Sequence, residues 1–330
     1  MSQNSSVARE ATLLAQRGAV REAHALLEKG MASGDGLAAA CLAEWRLSGQ
    51  LVRRDLAAAR DLYGVAAQLG IEEAEDPFIA LLANGAGGSG RRWQEALAVL
   101  AKRGAQDEWA QRQVRLLSDM ALSDGGDPNH LPVQTLQHET PRISNIVGFM
   151  SEAECRYLID LVEPRLQPSV VIHPGTGRMM RDPIRTAKAA GFPFVLENPV
   201  LHAINRRIAA ATGTSYEQGE PLQVLRYDPG DEYKLHLDTL PSGENQRIVT
   251  FLVALNTDFD GGDTAFPELD IRWRGGLGEA LQFQNVAANG QPEPLLRHAG
   301  LPVKRGTKYL LSKWIRSKPL DLSGPPGRPL

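Results

Sequence analysis

His236 and Asp238 close the stretch LQVLRYDPGDEYKLHLD, residues 222–238, and stand two positions apart. On a strand successive side chains alternate faces, so an imidazole and a carboxylate at this spacing can look into one cavity. A further imidazole, from His298, can join them once the sheet folds back on itself. Two histidines and one carboxylate leave three coordination positions open. That arrangement is expected of an iron(II) centre that activates dioxygen rather than of a closed structural site. An H-x-D pair alone arises by chance in many chains, so the surrounding elements have to discriminate.

Those elements are strands. LQVLRY (222–227), EYKLHL (232–237), RIVTFLVAL (247–255), EALQFQ (279–284) and KYLLSKWIR (308–316) are separated by turns such as Asp228-Pro229-Gly230 and Asp260-Gly261-Gly262-Asp263. Many short antiparallel strands with such turns predict a sandwich or jelly roll, whose mouth can hold a metal. In the last strand Lys308, Leu310, Ser312 and Trp314 share one face, which Leu and Trp mark as buried. Tyr233 lies three residues before His236, so it shares the His236 face only if the strand bends or bulges.

Two helices precede and interrupt these strands. SEAECRYLIDLVEPRL begins with Ser151 as N-cap and Glu154 as its capping-box partner. A second helix, from about Asn198 to Thr212, places Val200, Ile204 and Ile208 at fourfold spacing. Both are expected on the outside of the sheet. The polar segments 173–194 and 256–275 read as loops that could close over a substrate. His138, His173 and His202 have no partner at ligand spacing and read as structural or solvated.

The first hundred-odd residues differ in character. Alanine-rich amphipathic stretches recur at 21–35, 56–70 and 93–104. A shift of 36 carries Gly34 onto Gly70, Ala23 onto Ala59 and Leu26 onto Leu62, and a shift of 37 carries Ala59 onto Ala96. This is the pattern of a helix-pair solenoid. The segment RLSGQLVRRDLAAARDLYGVAAQLGIEEAEDPFIALLANG resembles the Sel-one-like repeat, a relative of the tetratricopeptide repeat. The likeness rests on Gly49, Asp55, Ala66-Ala67, Gly70, Ala74 and Gly85, and it implies a surface for a protein partner. The run SDGGDPNHLPVQ breaks the helical pattern. The expected organisation is a helical repeat domain over 1–122, a linker over 123–134, a sheet domain over 135–318 and a Pro/Gly-rich tail over 319–330.

The chain has 330 residues, 42% of them hydrophobic, which is enough for a sizeable core. Net charge is −3 and gives no basic footprint for nucleic acid. No apolar run approaches a membrane span and MSQNSSVARE has no signal core, so a cytoplasmic, membrane-free protein is expected. The two cysteines, Cys41 and Cys155, make no disulfide framework and read as buried small side chains.

Taken together, SEAEC, Arg185-Thr186, GEPLQVLRYDPGDEYKLHLD, RIVTFLVALN, GGDTAFP, EALQFQN and HAGLPVKRGTKYLLSKWIR resemble the catalytic domain of the prolyl 4-hydroxylase family, over about residues 140–317. The resemblance implies a double-stranded β-helix, or jelly roll, with His236, Asp238 and His298 as ligands of Fe(II). It implies Lys308 as the anchor for the distal carboxylate of 2-oxoglutarate, with Tyr227 and Thr264 helping to fix that cosubstrate. Arg247, Tyr233 and Trp314 match positions that contact the peptide being hydroxylated. The implied reaction consumes O2 and 2-oxoglutarate, releases succinate and carbon dioxide, and uses ascorbate as reductant. A free amino acid or other small molecule is the alternative substrate. A catalytically silent helical scaffold is the alternative of another class, disfavoured because all four of His236, Asp238, His298 and Lys308 are present.

Overall fold

The computed structural model describes residues 6–86, 90–172, 179–181, 184–241 and 244–321. Its contacts divide the chain into two units: one runs to Asp127 and takes in Pro193–Ile204, the other comprises Pro128–Phe192 and Asn205–Leu320. His173 falls outside the described residues.

The first unit is built on helices α1 (Ser6–Gln16), α2 (Val20–Ala32), α3 (Gly36–Ser48), α4 (Leu56–Gln68), α5 (Glu75–Asn84), α6 (Trp93–Gly104) and α7 (Glu108–Asp119), each packed on the next. Aspartates start three of them. Asp35 accepts from the Leu37 and Ala38 amides, Asp55 from Ala58, and Asp107 from Trp109 and Ala110, which satisfies N–H groups that a helix start leaves free. Ala23, Ala59 and Ala96, aligned by the sequence shifts, are all fully buried, and so are Ala39 and Ala66. Side chains this small let helix axes approach closely. Gly34 and Gly70 both adopt left-handed backbone just beyond their helices. The segment 193–204 joins this unit through Phe194, whose carbonyl accepts from Asn84 Nδ2 at 2.8 Å and whose ring lies under Arg54.

The second unit is rich in antiparallel sheet. Its early strands are β1 (Gln134–His138), β2 (Ile143–Ile146), β3 (Gln167–Pro168), β4 (Val170–Ile172), β5 (Met179–Arg181) and β6 (Lys188–Phe192). Those nearer the site are β7 (Leu222–Tyr227), β8 (Tyr233–His236), β9 (Arg247–Ala254), β10 (Asp260–Gly261), β11 (Thr264–Phe266) and β12 (Ile271–Trp273). The last four are β13 (Ala280–Gln284), β14 (His298–Gly300), β15 (Val303–Arg305) and β16 (Lys308–Arg316). One sheet has the order β1-β2-β13-β9-β16-β7-β6-β3, and a second has the order β12-β11-β14-β8. Their core joins Leu225, Leu252 and Leu310 of the larger sheet to Phe266 and Trp273 of the smaller. Phe266 and Phe283 meet edge to face at 5.1 Å.

Two expectations need correction. Residues 188–192, read as part of a loop, form β6 and pair with β7 along their whole length. Lys-Ala-Ala-Gly-Phe has too few large apolar side chains to show a strand period, but its small residues fit a covered sheet. Within 256–275, β11 is likewise a fully buried strand of the smaller sheet. The helix α8 (Glu152–Val162) opens with the expected capping box: Ser151 N–H donates to Glu154 at 2.8 Å, and Ser151 Oγ accepts from the Glu154 amide at 3.2 Å. In α9 (Pro199–Thr212), Val200, Ile204 and Ile208 are buried. Arg207 of α9 bonds Glu154 of α8 at 2.7 Å. Both cysteines are free. Cys155 is buried, which pushes its thiol up to about 12, whereas Cys41 is only half-buried. Among the described residues no helix is long and apolar enough to cross a membrane.

One glycine fixes a turn beside the larger sheet. Gly278 has φ 69°, and a Cβ there would stand 1.9 Å from the Met150 carbonyl oxygen. Left-handed strain and a backbone clash act together, so Gly278→Ala should lower unfolding free energy by about 2–4 kcal/mol. Urea denaturation checks this, and an unchanged midpoint would refute it.

Candidate metal centre and active site

His236 ends β8, His298 begins β14, and the two are register partners across one antiparallel pair. Asp238 follows β8 by two residues. The ligand atoms of these three side chains lie within 4.8 Å of one another. His236 Nε2 is 3.4 Å from Asp238 Oδ1, and His298 Nε2 is 3.6 Å from Asp238 Oδ2. Each imidazole is oriented from behind: Nδ1 of His236 donates to the Lys234 carbonyl at 2.8 Å, and Nδ1 of His298 to the Leu296 carbonyl at 3.0 Å. A carbonyl can only accept, so the proton sits on Nδ1 and the Nε2 lone pair of the neutral ring is free for a cation.

The electrostatics agree with that assignment. Burial pushes His298 down to about 4 against the attraction of Asp238, so the ring is neutral near pH 7. Burial alone would raise the Asp238 carboxyl, but His298, His236 and the Thr250 hydroxyl together hold it well below the usual carboxylate range. A buried anion beside two imidazoles, each turned with Nε2 toward it, suits a divalent ion. His236 Nε2 is buried and meets no hydrogen-bond partner among the described residues.

Eight of the nine residues singled out from sequence line one pocket: the three above with Tyr227, Tyr233, Thr264, Lys308 and Trp314. Lys308 pairs with Tyr227 between β16 and β7 and lies 5.5 Å from its ring centre. Its ammonium is buried and donates to the Gly262 carbonyl at 2.6 Å. Burial pushes its pKa down to about 8, with Asp263 opposing. Among the described residues that carbonyl is the one hydrogen-bond acceptor it meets, which leaves an ammonium equipped for an anion entering the pocket. Thr264, buried on β11, adds a hydroxyl. The donor set therefore fits both an iron ion and a small dicarboxylate.

Tyr233 reaches the His236 side of β8 because the ladder to β14 shifts register between His298 and Gly300. Its ring stacks on His236 at 3.6 Å with an interplanar angle of 18°. Arg247 is the ninth residue and stands behind the pocket. Its guanidinium forks onto Glu220 at 2.7 and 2.8 Å and lies 4.0 Å from the Trp314 ring centre. Trp314 Nε1 is buried and meets no acceptor among the described residues.

Sequence reasoning left three contributors out of the site. Arg185 lines the pocket and caps the Tyr233 ring at 5.4 Å. Thr250 donates to Asp238, and Asn285 donates to Thr250. Thr250 did leave a signal, being the polar residue inside the apolar run RIVTFLVAL.

Two imidazoles, a carboxylate and a buried ammonium in one pocket define a non-haem iron(II) oxygenase that uses 2-oxoglutarate. The family model of the 2OG-Fe(II) oxygenase superfamily matches residues 222–316. Prolyl 4-hydroxylase 1 of Arabidopsis thaliana is 34% identical over 198 residues, covering 54% of this chain and 70% of that protein. The chain belongs to the prolyl 4-hydroxylase family. Prolyl 4-hydroxylase subunit alpha-1 of Homo sapiens is 32% identical over 196 residues, but the match spans only 36% of its length. Among solved structures, the viral collagen prolyl hydroxylase of Paramecium bursaria Chlorella virus-1 in its 2OG complex is 27% identical. It covers 53% of this chain and 96% of that one, with a TM-score of 0.44.

Proposed function

We propose that this 2-oxoglutarate- and Fe(II)-dependent dioxygenase hydroxylates a prolyl residue within a protein or peptide. The observation that carries the reading is the convergence of His236, Asp238, His298 and the buried Lys308 on one pocket. In this reading His236, Asp238 and His298 hold the iron. Lys308 takes the distal carboxylate of 2-oxoglutarate, with Thr264 and Tyr227 fixing its position. Bound iron, with 2-oxoglutarate and dioxygen, supplies the oxidant that converts a C–H bond to C–OH while succinate and carbon dioxide leave.

The remaining work belongs to the chain's own residues. Burial of the site excludes water, and Leu252 and Leu310 give the cosubstrate apolar walls. Burial also raises the Tyr227 hydroxyl above its ordinary range, so it stays protonated and acts as a donor. Tyr233 and Trp314 present aromatic surface to the prolyl ring. Arg247, anchored by Glu220, props the Trp314 face and reaches the peptide through it. Holding the target carbon close to the oxidant is the geometric contribution that such a pocket makes.

We read the two-sheet unit as a double-stranded β-helix and the N-terminal helices as a Sel-one-like repeat that recruits a protein. The left-handed glycines and buried alanines at equivalent positions support the repeat. Ascorbate is the proposed reductant. The reading is tested by incubating purified protein with Fe(II), 2-oxoglutarate, ascorbate and oxygen, with and without a library of proline-containing peptides. Peptide-stimulated succinate with a gain of one oxygen on the peptide is expected. Succinate formed equally without peptide would shift the substrate to a small molecule, and no turnover with any substrate would overturn the reading.

Lys308 predicts a pH dependence. Its pKa in the ligand-free pocket is about 8, and an arriving carboxylate raises it. Below pH 8 the ammonium is already charged, so binding needs no proton. Above it, binding takes up one proton, and 2-oxoglutarate affinity should fall about tenfold per pH unit. Titration of the Co(II)-loaded protein from pH 7 to 10 reads this, with Lys308→Arg flattening the profile. A flat wild-type profile would contradict the assignment.

A further inference from the structure

Behind Asp238 lies a buried chain of hydrogen bonds that the ligand assignment does not use. Thr250 Oγ1 donates to Asp238 Oδ2 at 2.6 Å, and Asn285 Nδ2 donates to Thr250 Oγ1 at 2.9 Å. Asp238, Thr250 and Asn285 are 5, 1 and 3% exposed. Thr250 sits in β9 opposite Phe283 of β13, and Asn285 follows β13 directly. The Asn285 backbone is pinned on both sides, its N–H on the Ile248 carbonyl at 2.8 Å and its C=O by the Glu293 amide at 3.0 Å.

The direction of this chain can be worked out. A hydroxyl has one proton. Thr250 could give it to Asn285 Oδ1 at 3.3 Å or to Asp238 Oδ2 at 2.6 Å. The carboxylate is ionised and closer, so the charge-assisted bond wins. The amide N–H arriving from Asn285 occupies a lone pair of Oγ1 and leaves the proton pointing at Asp238. One lone pair of Oδ2, the oxygen that also faces His298 Nε2 at 3.6 Å, is thereby taken, and Oδ1, on the His236 side, keeps its lone pairs.

We propose that Asn285 and Thr250 are positioning residues that hold Asp238 as a one-oxygen metal ligand through Oδ1. The proposal rests on the reading of Asp238 as an iron ligand. Its chemical consequence is a count: ligation through both oxygens would close one of the three positions that 2-oxoglutarate and dioxygen require. A partner held behind a ligand typically contributes 10- to 100-fold to metal affinity.

The test is Co(II) binding to the full chain, read by titration and by the visible absorption of the Co(II)–2-oxoglutarate complex. Thr250→Val keeps the shape and removes the proton, so it should weaken Co(II) binding about 10- to 100-fold and change the spectrum. Thr250→Ser should restore both. Asn285→Ala keeps the hydroxyl but frees its direction, and should weaken binding by a smaller factor. Wild-type affinity and spectrum in Thr250→Val would overturn the proposal. If that variant does not fold, an unchanged Asn285→Ala does the same. A wild-type protein that takes up no Co(II) would instead overturn the metal assignment itself, so the two failures are distinguishable.

Discussion

Replacing His298 by alanine should abolish 2-oxoglutarate turnover and lower Co(II) or Fe(II) affinity by at least about 100-fold, while the helical unit stays folded. The ring supplies one of three ligand atoms clustered within 4.8 Å. It is neutral at pH 7 and held in the productive tautomer by the Leu296 carbonyl, so no other nearby group replaces it cheaply. Alanine also empties space against Phe266 and Phe283, whose ring centres lie 5.4 and 4.8 Å from the imidazole. Some loss of stability in the sheet unit therefore accompanies the loss of metal. Succinate release, metal titration and circular dichroism separate the two effects. Full turnover with a normal spectrum would sink the ligand assignment.

Lys308→Ala has the second-largest expected effect, and it falls on the cosubstrate rather than the metal. Removing one partner of a buried charge pair costs about 3–5 kcal/mol, because the other charge is left uncompensated. That corresponds to a rise of roughly 10²- to 10⁴-fold in the KM for 2-oxoglutarate. Co(II) affinity without 2-oxoglutarate should stay near wild type, since Lys308 donates to Gly262 and to none of the ligands. Lys308→Arg retains the charge but brings a larger planar group to a space in which the lysine stem already fits against Gly262, so it recovers only part of the loss. An unchanged KM in the alanine variant would move the anchor elsewhere.

The chemistry of the site was more legible in the sequence than the architecture that holds it. Alternation along a strand is a local rule, so His236 with Asp238, and Lys308 with Leu310, Ser312 and Trp314, could be grouped by counting. Tyr233 violated the count, and the register shift opposite Gly300 is the reason. Counting cannot see such a shift, because it belongs to the pairing and not to the strand. The two- and three-residue strands β3, β10 and β12 were invisible for a simpler reason: they are too short to repeat the alternation that would reveal them. Helix α3 hid differently. It buries Ala38, Ala39, Leu42, Ala43 and Leu47 between neighbours, so its apolar residues spread beyond one stripe. Arg247 was placed in the peptide site because its type and position matched. Its pairing with Glu220, made while its guanidinium lies on the Trp314 ring, is a long-range contact that no spacing encodes.

The order of the larger sheet bears on how this protein is made. β16 lies between β9 and β7, although it comes after both in sequence. A chain emerging from the ribosome therefore presents β7 and β9 before the strand that joins them. Until Lys308–Arg316 is synthesised, the sheet can exist only as separate fragments with open hydrogen-bonding edges, which invite pairing with other chains. His236, Asp238 and His298 all precede residue 308 and are translated while that gap is open. The strand that brings Lys308 into the pocket is thus also the strand that closes the sheet, so a nascent chain gains a complete pocket and a continuous sheet in the same step.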